Sequence, residues 1–300
     1  MAGRAVPPYR RRVAQHTHDG IDWAARVAAA RRTAELEAEA LRVVARRLVR
    51  PLPDNPTVYD VGCGVGAMSV PLAEALAARG GGTLVLVDAV PEVLDAATSA
   101  ARSLGALTVK PVLADLASED PAGFGKPADL VWASRVVHHL PDQLKAVKRL
   151  VGALAPGGWL ALAEGGLEGR MLPWDLGVGE PGLQDRLAAA RAEWFCTMRE
   201  GIPGAVQLPV GWNVALGDAG LGEISAFSFV IDHPAPAKQV VRDWAVERLG
   251  WLAEVCGPRL HASDRAALRR LLNPRDSEFL GARDDVFMLM TDTVHMGRKP

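Results

Sequence analysis

Glycines 62, 64 and 66 follow an apolar run that carries Asp60, and Asp88 closes a second run, LVLVD. Residue types at this spacing suit the binding of an adenosine-bearing ligand. Thr57 to Val61 reads as a buried parallel strand, and the glycines let the chain turn sharply and approach a ligand where a Cβ would clash. A helix expected from about Ala67 to Ala78 would aim its N-terminal amides at that ligand, which suits a carboxylate or phosphate. Asp88, with Ala89 after it, stands where a carboxylate of a doubly wound sheet accepts hydrogen bonds from ribose hydroxyls. A nicotinamide dinucleotide site uses nearly the same parts, but its fingerprint is GxGxxG. This chain reads GxGxG, with Ala67 where the last glycine should fall, which disfavours pyrophosphate. A tight strand-to-helix turn without a ligand is the plain alternative.

Elements that would position these residues follow in order. Thr108 to Leu113 reads as a third strand ending in Ala114, Asp115 and Leu116, where an acid could hold an adenine amino group between flanking side chains. ADLVWAS, Ala128 to Ser134, reads as the fourth strand, and LAPGGWLALAE, Leu154 to Glu164, as a Pro-Gly-Gly turn and a fifth. These stretches resemble the class I S-adenosylmethionine (SAM) methyltransferases, particularly the menaquinone- and ubiquinone-biosynthesis type and their secondary-metabolite relatives. The resemblance implies SAM as donor and S-adenosylhomocysteine (SAH) as product. It implies a methionyl site at Asp60, Gly62, Cys63 and Gly64, a ribose site at Asp88 and an adenine site at Asp115 and Leu116. It also implies that the loop SRVVHHLPD, Ser134 to Asp142, faces the donor, so that Ser134 and Arg135 join the cofactor residues.

Methyl transfer asks little of a protein beyond in-line positioning, with a base only where the acceptor must lose a proton. His138 and His139 could take such a proton near neutral pH, and either could equally cap or pack against the next helix. Arg135 could orient an acidic substrate group or meet the cofactor through its backbone. His18 belongs to a second set with Tyr9 and His16, on a basic, proline-containing arm that could close over bound cofactor or remain a solvated tail. Trp23 would open a lid helix.

Around the sheet, the expected organisation is an N-terminal helical arm over residues 1–50, a Rossmann-like core over 51–166, a cap insertion over 167–208, and completion of the core over 209–300. A second helical insertion occupies 233–283. The arm helix, Asp22 to Val49, is expected to break near Arg32 and Thr33, since so long a helix without a coiled-coil repeat is unusual. Gln184 to Glu200, Trp212 to Ala219, Lys238 to Val255 and Ser263 to Leu272 have helical patterning. The sixth strand should end near Asp232, and Asp285 to Met296 should be an antiparallel seventh. The fold class is therefore α/β: a Rossmann-like, seven-stranded, mostly parallel sheet under a helical cap. Five of eight tryptophans lie beyond the fifth strand. Trp174 and Trp194 are the candidates for a pocket suited to a flat acceptor, although each could simply pack the cap.

Composition narrows the function class. A net charge of −1 over 300 residues leaves no basic excess for nucleic acid. The chain also lacks the Asp/Asn-Pro-Pro-aromatic signature of nucleic-acid amino-methyltransferases. Cys63, Cys196 and Cys256 are too few and scattered for disulfides or zinc, and no acid cluster argues for a metal. With no signal-peptide pattern and no span-length apolar run, the expectation is a cytoplasmic enzyme with no membrane partner. Helical arms of such enzymes sometimes form homodimers, but no surface here selects one. The expected activity is methylation of a small aromatic or secondary-metabolite acceptor at carbon, nitrogen or oxygen, with a slight preference for carbon on an indole or quinone-like ring. An NAD-dependent dehydrogenase and a non-catalytic SAM-binding protein are the competing readings.

Overall fold

A computed structural model describes residues 23–105 and 107–300, with side chains from Val27 onward. Helix α1 (Trp23–Val49) leads into alternating elements: β1 (Thr57–Val61), α2 (Ser69–Ala77), β2 (Thr83–Asp88), α3 (Pro91–Arg102), β3 (Thr108–Leu113), β4 (Ala128–Ser134), α4 (Gln143–Gly152) and β5 (Leu154–Arg170). Helices α5 (Leu183–Glu200) and α6 (Trp212–Asp218) precede β6 (Gly222–His233), and α7 (Gln239–Cys256) and α8 (Ala262–Leu271) precede β7 (Met288–Arg298).

The strands form one sheet in the order β3-β2-β1-β4-β5-β7-β6. Strands β1 to β5 pair in parallel, whereas β7 runs antiparallel to both β5 and β6. Six strands therefore share a direction and the last opposes them, as the patterning predicts. Chain order reverses between β1 and β4, and a crevice opens there beyond the carboxyl ends of the strands.

Apolar side chains on the two faces bury separate layers. On one face α1, α2 and α3 pack over Trp132, Ala161, Ala163 and Val294. On the other, α4 and α6 cover Tyr59, Val131, Leu160 and Leu162. A third cluster builds the cap from α5, α7 and α8, through Leu187, Trp244, Leu249 and Leu268, and joins the sheet at Met288. Arg186 of α5 chelates the buried carboxylate of Asp264 on α8, at 2.8 to 3.1 Å, and ties those helices together.

Two local expectations are corrected. Helix α2 begins at Ser69 rather than Ala67, because Ala67 and Met68 complete the turn that the glycines start. The expected break near Arg32 and Thr33 is absent, and α1 runs unbroken for 27 residues. Tertiary contacts remove the need for it. The Thr33 hydroxyl donates to Ala29 O within the helix (3.2 Å), and Arg32 forks onto Glu247 of α7 (2.9 and 3.2 Å). Leu41, Val44, Ala45 and Leu48 hold the second half on the sheet. Leu48, 1% exposed, is the anchor to remove. Leu48→Ala should destabilise the protein by about 2–5 kcal/mol, read from the urea midpoint at constant slope.

Candidate functional site

The glycine loop is held by its neighbours before any ligand arrives. Gly62 N and Cys63 N both donate to Val87 O on β2 (2.8 and 3.0 Å), and the three glycines take φ of +69°, +52° and +93°. They have different reasons to lack a side chain. A Cβ on Gly62 would collide with Val136, and one on Gly66 would lie 3.1 Å from Ala97 Cα of α3. A Cβ on Gly64 would meet nothing within 4 Å, so only there does the missing side chain leave open space. Asp88 braces this loop: Oδ2 accepts from Gly64 N (2.9 Å) and Oδ1 from Val90 N (3.0 Å). Asp115 orders the turn after β3 in the same way, accepting from Ala117 N (2.8 Å).

Above the loop lies a cavity of about 550 Å³, inside the roughly 300–1,000 Å³ range of small-molecule sites. Asp60, Gly62, Cys63, Gly64, Asp88, Ala89, Asp115, Leu116, Ser134 and Arg135 all line it. Thr33, Glu37 and Leu41 of α1 close one wall. A lid helix was expected here, but no motif in α1 singles out these three residues. Asp60 is 2% exposed and accepts from Ser69 Oγ (2.6 Å). Burial pushes its carboxyl up to about 7, the Ser69 hydrogen bond opposes this, and the charge of Asp88 adds to it.

The loop after β4 divides two chemistries. Arg135 sits at φ +56°, a left-handed conformation uncommon for a side-chain-bearing residue. Its guanidinium donates to Glu37 of α1 and to Asp292 of β7, each at 2.7 Å. Burial works against its charge, but the two carboxylates outweigh it and raise the pKa. One residue on, the chain turns to Glu164 at the end of the regular part of β5. This buried carboxylate accepts from Val136 N (3.0 Å) and Val137 N (2.8 Å) through Oε1, and meets His138 Nδ1 at 2.6 Å through Oε2. That contact places the Nδ1 proton toward Glu164 and leaves Nε2 to accept another. Glu164 escaped the sequence reading; an acid ending an otherwise apolar strand was the available signal.

His139 lines the cavity, whereas His138 stands behind it, with its ring 4.0 Å from that of His139 and 5.7 Å from Phe195 of α5. Arg199 of α5 donates to His138 O (2.9 Å) and Leu140 O (2.5 Å), which fastens the loop to the cap. Tyr9, His16 and His18 lie outside the described residues. Trp23 opens α1, but its side chain is outside them too. The tryptophan expectation is corrected. Trp174 is 70% exposed after β5, and Trp194 packs edge-on against Trp251 at 5.4 Å. Neither lines the cavity: Trp174 faces solvent from the loop before α5, and Trp194 gives its area to packing α5 against α7.

Residues 59–160 match the family model described as a methyltransferase domain. The stretch from β1 to β5, about a third of the chain, is similar to a methyltransferase domain. The chain is 36% identical over 112 residues to trans-aconitate 2-methyltransferase of Azoarcus sp. (strain BH72), covering 37% of this chain and 40% of that protein. It is 38% identical over 128 residues to nocamycin O-methyltransferase of Saccharothrix syringae, covering 41% and 44%. With ubiquinone biosynthesis O-methyltransferase of Xanthomonas campestris it shares 34% identity over 125 residues, covering 41% and 47%. The chain thus spans less than half the length of these relatives.

The methyltransferase domain carries a cavity that fits SAM. Open space faces Gly64, and Asp60, Asp88, Asp115 and Glu37 supply carboxylates around a ligand that bears a sulfonium and an ammonium. No helix among the described residues is long and apolar enough to cross a membrane.

Gly64→Val and Asp88→Ala should each weaken SAH binding at least about tenfold in calorimetry, and unchanged affinity in both would refute this cofactor assignment. Asp60 yields a pH prediction. Its folded pKa lies above the ordinary 3.8, so its stabilising contribution is complete below that value and is lost as pH rises toward about 7. Asp60→Asn should flatten the pH dependence of the urea midpoint over that window.

Proposed function

We propose that this chain transfers a methyl group from SAM to a small-molecule acceptor, with His138 taking the acceptor's proton. The observation that carries this reading is the buried Glu164 orienting His138 beside the cavity that its own loop helps to line. SAM would supply the methyl group from its sulfonium, leaving as the neutral thioether SAH when the S–CH3 bond breaks. The protein's residues do the rest. The glycine loop and Asp88 hold the donor, α1 closes over it to exclude water, and the β4 loop presents a base. As the acceptor's X–H bond yields its proton to His138 Nε2, the carboxylate of Glu164 stabilises the resulting imidazolium.

An oriented base supports an acceptor with an O–H group, which needs deprotonation, over an electron-rich ring that can attack unaided. Two of the relatives named above are O-methyltransferases, which favours the same choice. The preference for an indole or quinone-like carbon drew on the tryptophans, and with these packed in the cap or exposed it loses that support.

Calorimetry with SAM, SAH and NADH, followed by transfer of labelled methyl to hydroxylated small molecules, tests the proposal. Binding of NADH alone would mean a dehydrogenase; SAH binding with no turnover on any acceptor would favour a binding protein. For a turned-over acceptor, His138→Gln should lower kcat by about 100- to 10,000-fold and leave the SAH affinity unchanged.

A further inference from the structure

We infer that Arg191 and Arg248, on the cap above the β4 loop, form a binding site for a carboxylate of the acceptor. This rests on the methyl-transfer reading and names the class of molecule that would use it.

The two guanidiniums come from different helices, α5 and α7, and converge on one carboxylate. Glu168, on the extension of β5, accepts from Arg191 Nη1 through Oε2 (2.7 Å) and from Arg248 Nη2 through Oε1 (3.2 Å). Two cations sharing one anion leave a unit of positive charge among the described residues. Among the described residues most of their ten N–H donors also lack a protein acceptor, and the buried Nε of Arg191 has none. Burial lowers the Arg248 pKa most, Glu168 opposes it, and repulsion from Arg191 and then Arg135 adds to the lowering. Arg135 of the β4 loop is thus among the charges that bear on Arg248. The side chains remain accessible, at 31% and 32% exposed.

Position relative to the base comes from the helix period. Arg191, Phe195 and Arg199 are spaced by four and share one face of α5. Phe195 lies against His138, and Arg199 binds the carbonyls of the same loop, so the face that carries Arg191 is the face turned to the base. Arg248 is held over the ring of Trp251 at 4.5 Å, and Trp194 braces that ring from the side, which fixes the guanidinium's plane in advance. Trp194 and Trp251 thus bear on the acceptor through the arginine they orient. Glu168 is an internal stand-in for the ligand: a carboxylate already fits between these two cations. An acidic acceptor would take the donors that Glu168 leaves open and present its hydroxyl toward His138.

The charge pattern agrees. Arg135 faces two carboxylates, Glu37 and Asp292, which leaves a negative excess beside the donor cavity, while the cap pair carries the positive excess. A cationic donor and an anionic acceptor would each be drawn to its own side of the loop.

The test compares ortho-, meta- and para-hydroxybenzoate with the matching hydroxybenzamides. Binding is read by saturation-transfer NMR and calorimetry, with and without saturating SAH. The wild-type protein should bind at least one acid about tenfold more tightly than its amide. Arg191→Gln and Arg248→Gln should each abolish that difference while leaving amide and SAH affinities unchanged, an outcome that mere loss of packing would not produce. Glu168→Gln, which frees both guanidiniums, should strengthen acid binding. Equal affinity for acid and amide, no binding of either, or an acid preference that survives both arginine substitutions would overturn the inference. Failure of SAH to bind would strike the methyl-transfer reading separately, since the acid-to-amide comparison without SAH reads the arginine pair alone.

Discussion

A carboxylate that is 2% exposed needs donors on every side, and Glu164 obtains them from a single loop: two backbone amides and the Nδ1 of His138. Desolvating that charge without them would be prohibitive, so loop and carboxylate must form together. The left-handed backbone of Arg135 immediately precedes this knot. It sends the guanidinium toward α1 and β7 while the following residues turn the other way onto Glu164. One reversal of backbone handedness thus sends neighbouring residues to opposite sides, Arg135 to the cavity wall of α1 and Val136 to Glu164.

From that loop the molecule's two outer pieces are tied to its sheet. Arg135 reaches Glu37 on the first helix, and Arg199 on the cap returns to the loop's carbonyls. The first helix and the cap also meet each other directly, through Arg32 and Glu247. A displacement of any of these pieces would be felt at the β4 loop. The α1 wall of the cavity and the orientation of His138 are therefore coupled by geometry.

Much of the core was legible because its signals are local. The apolar runs, the glycine turn and the acids closing β2 and β3 follow from what a buried parallel strand and a tight strand-to-helix turn require of neighbouring residues. The ten residues expected around the cofactor fall on one cavity for this reason. Even there, detail escaped. Gly62 and Gly66 lack side chains because of Val136 and Ala97, which are distant in sequence, and only Gly64 opens onto free space.

Glu37 and the Arg191–Glu168–Arg248 group had no comparable signal, and Glu164 had only its place at the end of an apolar strand. A lone acid on a polar helix, or an arginine among 34 basic residues, looks the same whether it is solvated or bound to a partner 100 residues away. The unbroken α1 and the packed tryptophans have the same explanation, since long-range contacts outweighed local expectation. By itself the sequence determined the order of strands and helices and the binding loop, both written in short-range periodicity and glycine geometry. Only the tertiary structure decided which charges meet, because side-chain pairing depends on distances in space that no spacing along the chain encodes.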